Sequence, residues 1–309
     1  MDGLNNDSGP SLNLVKTGLD HLFNQATMQI ATPGKASATN PLVFVQMPAG
    51  SVAAAQSTIT GGGGYFGQST DDVPPVKEAN KRAYATVQSQ VINFSENLPI
   101  SRTFMEDQQM AAVSKSVQQF AMAWKATQDR NAFASYNNGF TTETTADGVA
   151  LFSNSHVNLN GDTVDNLEGG ALSTDTLNAT VVSLRGQVSQ TGVIAGYEPK
   201  FLLCSSTLHM TAMATAKSVL RAGTGNNDLN YFSELYPGME VLYSPFVSSS
   251  TAYFVGGFTH GVTRFEREGL STTLVPWQNQ PTDQYIYKMR AREVVDAIDF
   301  NGLVGSTGA

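Results

Sequence analysis

A single cysteine, Cys204, stands in the 309 residues, so no disulfide can form within the chain. Set in the run KFLLCS, it reads as a small buried apolar residue suited to a reducing compartment. Charge is scarce as well. Asp, Glu, Lys and Arg make up 14% of the residues, against roughly 25% in ordinary soluble domains. Ser, Thr, Asn, Gln and Gly fill the gap, and such a polar, weakly charged surface suits a protein that spends much of it on other copies of itself. Eighteen basic against 26 acidic residues give a net charge of −8, with no long Lys/Arg run. A surface that grips nucleic acid by its phosphates is therefore not expected. No charged-then-apolar leader opens the sequence, and no apolar run reaches the length of about 18 residues that crosses a bilayer. The sequons at Asn6, Asn93 and Asn178 are then chance matches.

The patterns that carry chemistry are also missing. Gly62-x-Gly64-x-x-Gly67 has the dinucleotide spacing, but QSTDDVPP follows where a helix is needed. TPGKAS has Ala36 where a phosphate loop needs Ser or Thr. The four histidines, His21, His156, His209 and His260, are far apart, Cys204 has no cysteine partner, and no Gly-x-Ser-x-Gly elbow occurs. Asp71-Asp72 are adjacent on a loop, and an acid/base pair there would have to be completed from elsewhere.

Extended and helical segments that bury no core of their own are what remains. Leu12, Val15, Leu19, Leu22 and Phe23 recur at helical spacing, predicting a short amphipathic helix that must lie against something. Residues 45–100 read as a two-stranded excursion with a glycine tip, each strand reaching on the order of 50 Å, which needs a partner surface. Thr103-Phe104-Met105-Glu106 fits a capping box. Met110, Val113, Val117, Phe120 and Trp124 then form a stripe, predicting one helix of about 45 to 50 Å that ends near Asn137-Asn138-Gly139. Ser173 is a plausible cap for a helix over 173–188, KFLLCS a buried strand leading into a helix over 206–220, and RAGTGNNDLNYF (221–232) a polar loop. MEVLYSPFV, AYFVGGF and GVTRFEREGL read as strands. In 284–300 Tyr285, Tyr287, Met289 and Ala291 face one way, and Lys288, Arg290 and Arg292 the other. That basic face could meet nucleic acid or pair with Glu266, Glu268 and Glu293. The missing basic surplus favours pairing within or between subunits.

This order of parts resembles the major capsid proteins of tailed bacteriophages, the Hong Kong 97-type shell fold, and within them the Mu-like head-subunit branch. SLNLVKTGLDHLFNQA looks like the N-terminal arm helix, and NLPISRTFMEDQQMAAV like the strand leading into the spine helix. DGVALFSNSHVNLNG is similar to a Gly-x-x-Leu-Phe-Ser-x-x-His segment of such head subunits. YEPKFLLCSSTLHMTA and YPGMEVLYSPFV look like A-domain elements, and RAREVVDAIDFNGLVGSTGA like the closing P-domain strand and tail.

The resemblance implies an α+β fold with an N-terminal arm (1–44), an extended E-loop (45–100), a P-domain with a long spine helix (101–172), an A-domain (173–280) and a closing P-domain strand with the C-terminal tail (281–309). It implies a major capsid protein of the virion, assembled in the host cytoplasm as pentamers and hexamers of an icosahedral shell. Neither enzymatic activity nor a cofactor nor a metal is expected. The implied partners are further copies of the chain, a portal, a scaffold and a decoration protein. DNA is enclosed without sequence-specific binding, and no membrane is involved. No long charged segment precedes the arm, so a separate scaffold or none is expected.

Gly61, Gly62, Gly63, Gly64, Tyr65 and Phe66 would form the tip of the E-loop, lying between subunits, and arms would reach across to neighbours. Met110, Val113, Val117, Phe120 and Trp124 would form the core stripe of the spine helix. Gly223, Gly225, Asn226 and Asn227 would form the loop at the capsomer centre, and Lys288, Arg290 and Arg292 are candidate inter-subunit charges. His156 is expected to fix a connection through hydrogen bonds. Some members of the fold weld subunits by Lys–Asn isopeptide bonds, but Lys77, Lys81 and Asn301 lack a flanking signature, so crosslinking is not expected. An encapsulin-like compartment shell and an enzyme with a cleft assembled from distant residues are the readings from other classes.

Overall fold

The structure, a computed structural model, describes residues 10–29, 34–48, 54–61, 82–107, 110–220, 229–279 and 281–309. In chain order the elements begin with α1 (Pro10–Gln29), β1 (Val45–Pro48), β2 (Ala54–Gly61), β3 (Arg82–Gln90), β4 (Ile92–Ser101), α2 (Arg102–Glu106) and α3 (Met110–Asn138). There follow β5 (His156–Val157), β6 (Thr163–Val164), β7 (Leu167–Glu168), α4 (Thr174–Gly186), β8 (Phe201–Ser205), α5 (His209–Lys217) and α6 (Tyr231–Leu235). The last are β9 (Glu240–Ser244), β10 (Tyr253–Gly256), β11 (Val262–Val275), β12 (Gln284–Ala297) and β13 (Leu303–Ser306).

Two sheets organise the chain, one four-stranded in the order β1-β11-β12-β4 and one five-stranded in the order β7-β13-β10-β8-β9. The alternation of β12 works as a strand pattern should. Tyr285, Tyr287, Met289 and Ala291 point inward and pack under α3, where Val113, Val117, Ala121 and Trp124 meet them. α1 covers the same core with Leu19, Phe23 and Ala26, spaced four and three apart on one helix face. Asp20 on α1 accepts hydrogen bonds from Thr272 Oγ1 and Tyr287 Oη, both 2.7 Å. Burial pushes its carboxyl up, but these bonds and Lys16 outweigh that and hold it below the usual range. The arm expected to reach toward a neighbour thus docks through α1 on its own subunit.

β8 is buried on both faces, as an uninterrupted apolar run predicts. Phe201 and Leu203 face one core with Phe133, Tyr136, Phe152 and Phe254, while Leu202 and Cys204 face another under α4 and α5. Ser173 caps α4, its hydroxyl accepting from Thr176 N at 3.2 Å while Thr176 Oγ1 accepts from Ser173 N at 2.8 Å.

Several expectations are corrected. The helix from Thr103 is divided: α2 ends at Glu106 and α3 starts at Met110, giving α3 29 residues and a length of about 43 Å. Thr103 is not the cap. Ser101 holds that position without a side-chain bond to the helix backbone, and Glu106 instead pairs with Arg102 one turn earlier. The excursion is also shorter than 45–100. Among the described residues, β2 and β3 pair with each other over roughly 30 Å. β1 runs parallel to β11 and β4 antiparallel to β12, so both belong to the four-stranded sheet. β11, expected with the A-domain, lies in that sheet too, paired along β12. β13, within the segment expected as closing P-domain strand and C-terminal tail, enters the five-stranded sheet between β7 and β10.

Candidate functional site

The segment that joins α3 to the five-stranded sheet, residues 139–172, converges on a buried histidine. His156 is fully buried; its Nδ1 donates to Asp147 Oδ2 at 2.7 Å, and its Nε2 faces the Leu151 carbonyl at 3.2 Å. Asp147 also accepts from Thr145 Oγ1 at 2.6 Å and Val149 N at 3.1 Å. Burial pushes the Asp147 carboxyl up, but the bonds from His156, Thr145 and Val149 outweigh it and hold the group below its usual range. Asn166, fully buried, accepts from Ser153 N and donates to the carbonyls of Leu151 and Phe300. Phe152 fills the space beside them. A Cβ on Gly305 of β13 would come within 2.7 Å of its ring, and one on Gly139 within 2.8 Å, so both positions need glycine for the ring to fit. His156, Asp147 and Asn166 hold backbone in place through these bonds, and His156, Asn166 and Phe152 are buried.

A second buried network ties the arm segment, α3 and the four-stranded sheet together. Arg264 donates from Nε to Glu293 Oε2 at 2.9 Å, from Nη1 to Gln46 Oε1 at 2.8 Å and from Nη2 to Glu266 at 2.7 Å. Gln128 on α3 also donates to Glu293, at 3.0 Å, and Ala38 N donates to the buried Asp129 at 2.8 Å. Glu266 and Glu293, expected as partners of the basic face of β12, are thus taken by Arg264. That face keeps Arg290 paired with Glu268 at 3.3 Å. Lys288 is exposed, and the buried Nε of Arg292 meets no hydrogen-bond partner among the described residues.

The remaining expected site residues are scattered. Val113, Val117 and Trp124 are buried on the inner face of α3 and Phe120 is half-buried, its ring 6.1 Å from Phe23 in a T-shaped pair. Met110 begins α3, and its side chain lies outside the described residues. Gly61 ends β2, while Gly62, Gly63, Gly64, Tyr65 and Phe66 lie outside the described residues, as do Gly223, Gly225, Asn226 and Asn227. Lys77 and Lys81 are likewise outside. Asn301 is buried and donates from Nδ2 to Asp299 at 3.2 Å.

An apolar surface on α5 and α6 was not anticipated. Met210 is 78% exposed, Leu235 68% and Tyr231 66%, with Met213, Val219 and Leu229 beside them in sequence. The signal was present in HMTAM: Met210 and Met213 stand three apart, opposite Ala212, Thr215 and Ala216, which face the core. Exposed apolar groups on two neighbouring helices suit a surface that meets another protein. Among the described residues no group of three or more His, Cys, Asp or Glu is placed to hold a metal, and no helix is long and apolar enough to cross a membrane.

A family model described as phage capsid protein matches residues 84–306. No curated protein matches the chain. Among solved structures the chain is similar to the capsid of Myoviridae phage XM1, at 13% identity and a TM-score of 0.53 over 91% of this chain and 94% of that one. It is similar to a chain of Microbacterium phage Oxtober96, at 12% identity and a TM-score of 0.53 over 90% and 93%. The procapsid of bacteriophage JBD30 aligns with 97% of this chain and 76% of its own, at 16% identity and a TM-score of 0.50. At these identities the likeness is one of fold.

Proposed function

The chain belongs to the phage capsid protein family, as a major capsid shell protein of the Hong Kong 97-type fold, and we propose that its copies assemble into pentamers and hexamers of an icosahedral shell around packaged DNA. The observation that carries the reading is the exposed apolar surface of α5 and α6, which flanks residues 221–228. An assembly through that surface would bring the five-stranded units of neighbouring subunits around a capsomer centre, with the loop containing Gly223 and Gly225 nearest the axis. The β2–β3 ribbon fits the same reading. Two strands alone are marginal in water, so the ribbon gains most by lying on another copy of the chain. Individually modest contacts then multiply through effective concentration in a closed shell.

The work of such a protein is conformational rather than catalytic: ribbons that re-aim let a compact precursor become an expanded head. A portal, a scaffold and a decoration protein are the further partners, the virion is its destination and the host cytoplasm the place of assembly. With a net charge of −8 on each copy, the shell holds DNA inside without gripping it. Electron microscopy of the purified protein at assembly concentration, alongside sedimentation, tests the reading. Closed particles or rings of five and six are expected. A monodisperse monomer that persists on co-expression with a scaffold would overturn it.

A further inference from the structure

The base of the ribbon is fastened by two acids. Glu143, on the turn after α3, and Asp296, next to the end of β12, both accept from one donor, Ala297 N, at 3.3 and 2.9 Å. Two carboxylates drawn to a single amide repel each other unless a proton lies between them. Asp296 also reaches the ribbon, its Oδ2 accepting from Ser89 Oγ at 2.5 Å, with Ser89 on β3 nearly fully buried. Ribbon, sheet and the end of the spine helix therefore meet in one line of polar contacts running Ser89, Asp296, Glu143.

The surroundings offer that pair little else. α3 presents the hydroxyl of Ser135, and β11 presents Thr263 in register with Asp296. Glu143 lines a cavity of about 210 Å³ with Gln128, Asn131 and Glu293, and the charge of Glu293 is already taken up by Arg264. Among the described residues no lysine or arginine is paired with Glu143 or Asp296.

We propose that a protonated Glu143 donates to Asp296 and holds it where it accepts from Ser89, latching the ribbon to the subunit body, and that loss of the Glu143 proton to water sets two carboxylates against each other, turns Asp296 away from Ser89 and frees the ribbon to change its angle. Burial and the neighbouring Asp296 charge push the Glu143 carboxyl up to about 7, which places the release near neutral pH. Use of the latch to re-aim ribbons in a shell rests on the assembly reading above; the latch itself belongs to a single copy of the chain.

Hydrogen exchange on the full-length chain, read by mass spectrometry at residues 82–90 and corrected for intrinsic rates, tests it. Between pH 5 and pH 7 the opening constant of this strand is expected to rise by up to roughly tenfold per pH unit and to level off above. E143Q supplies a permanent neutral donor and should hold the profile flat at its low-pH level. S89A cuts the ribbon from the pair and should hold it flat at the high level; with both acids in place, it carries the test if E143Q does not fold. A flat wild-type profile, or either variant following the wild-type curve, overturns the proposal. The readout needs no assembly, so a chain that forms no shells leaves this test standing.

Discussion

His156 lies flat against Phe300, with ring centroids 4.3 Å apart and planes 15° from parallel. The two residues are separated by most of the second half of the chain, and their contact fastens the link between α3 and the five-stranded sheet to the segment between β12 and β13. The stack and the Asp147 bond add to the core in which Val262 and Ala297 of one sheet pack with Phe201, Phe254 and Leu303 of the other.

Replacing His156 with Ala removes the stack and leaves the Asp147 carboxylate facing a cavity. A loss of about 3 kcal/mol is expected, from the deleted packing and the unpaired acceptor together. Urea unfolding of the isolated protein measures it. A variant as stable as the wild type would show that the histidine is no fastening.

Burial pushes the His260 imidazole down to about 4. Its Nδ1 accepts from Val262 N at 3.3 Å while its Nε2 donates to the Leu42 carbonyl at 3.0 Å, an arrangement that needs the neutral ring. Because the folded value lies below the unfolded one of 6.5, the stabilisation is complete above pH 6.5 and is lost as pH falls through about 4. H260Q should lose part of the wild type's acid sensitivity in that window when melting temperature is followed against pH. Parallel curves for the two proteins would argue against it.

Deleting Arg264 strands the carboxylate of Glu293 in the interior, at a cost of roughly 3 to 5 kcal/mol. The double variant R264M/E293L should cost less than R264A alone, since no charge is left unpaired. A double-mutant cycle measured by denaturation decides between this and simple additivity.

Leu235→Glu and Met210→Glu alter side chains that already face solvent. Each should leave the stability of the single chain within about 0.5 kcal/mol of wild type yet abolish closed particles, because a charge is placed in the proposed seam. Sedimentation and a melting curve on the same samples separate the two effects. Particles of normal size from both variants would move the capsomer contact elsewhere.

Local pattern made the elements legible where one face decides burial. α1, α4, β8 and the alternating β12 follow from their own side chains, and so does the stripe of α3. Partner choice was not legible. β11 carries the same strand signal whether it pairs within one sheet or the other, and only the long register with β12 places it. The polar devices escaped for a related reason. Arg264 and Gln46 are 218 positions apart, and Ser89 and Asp296 are 207, so no window along the chain contains both members of either contact. For His156 a hydrogen-bonding role was expected without a partner; Asp147, nine residues before it, is that partner.

The position of β13 sets a condition on biosynthesis. It is an interior strand, hydrogen-bonded to β10 on one side and β7 on the other, although it is made after both. Until translation has passed Ser306, β10 keeps one edge open and the apolar side chains of Leu303 and Val304 are missing from both cores. A prematurely terminated chain therefore carries an unfinished sheet with a sticky edge, fit for a protease or a chaperone rather than for a lattice. Completion of this sheet thus waits on the last strand to be made.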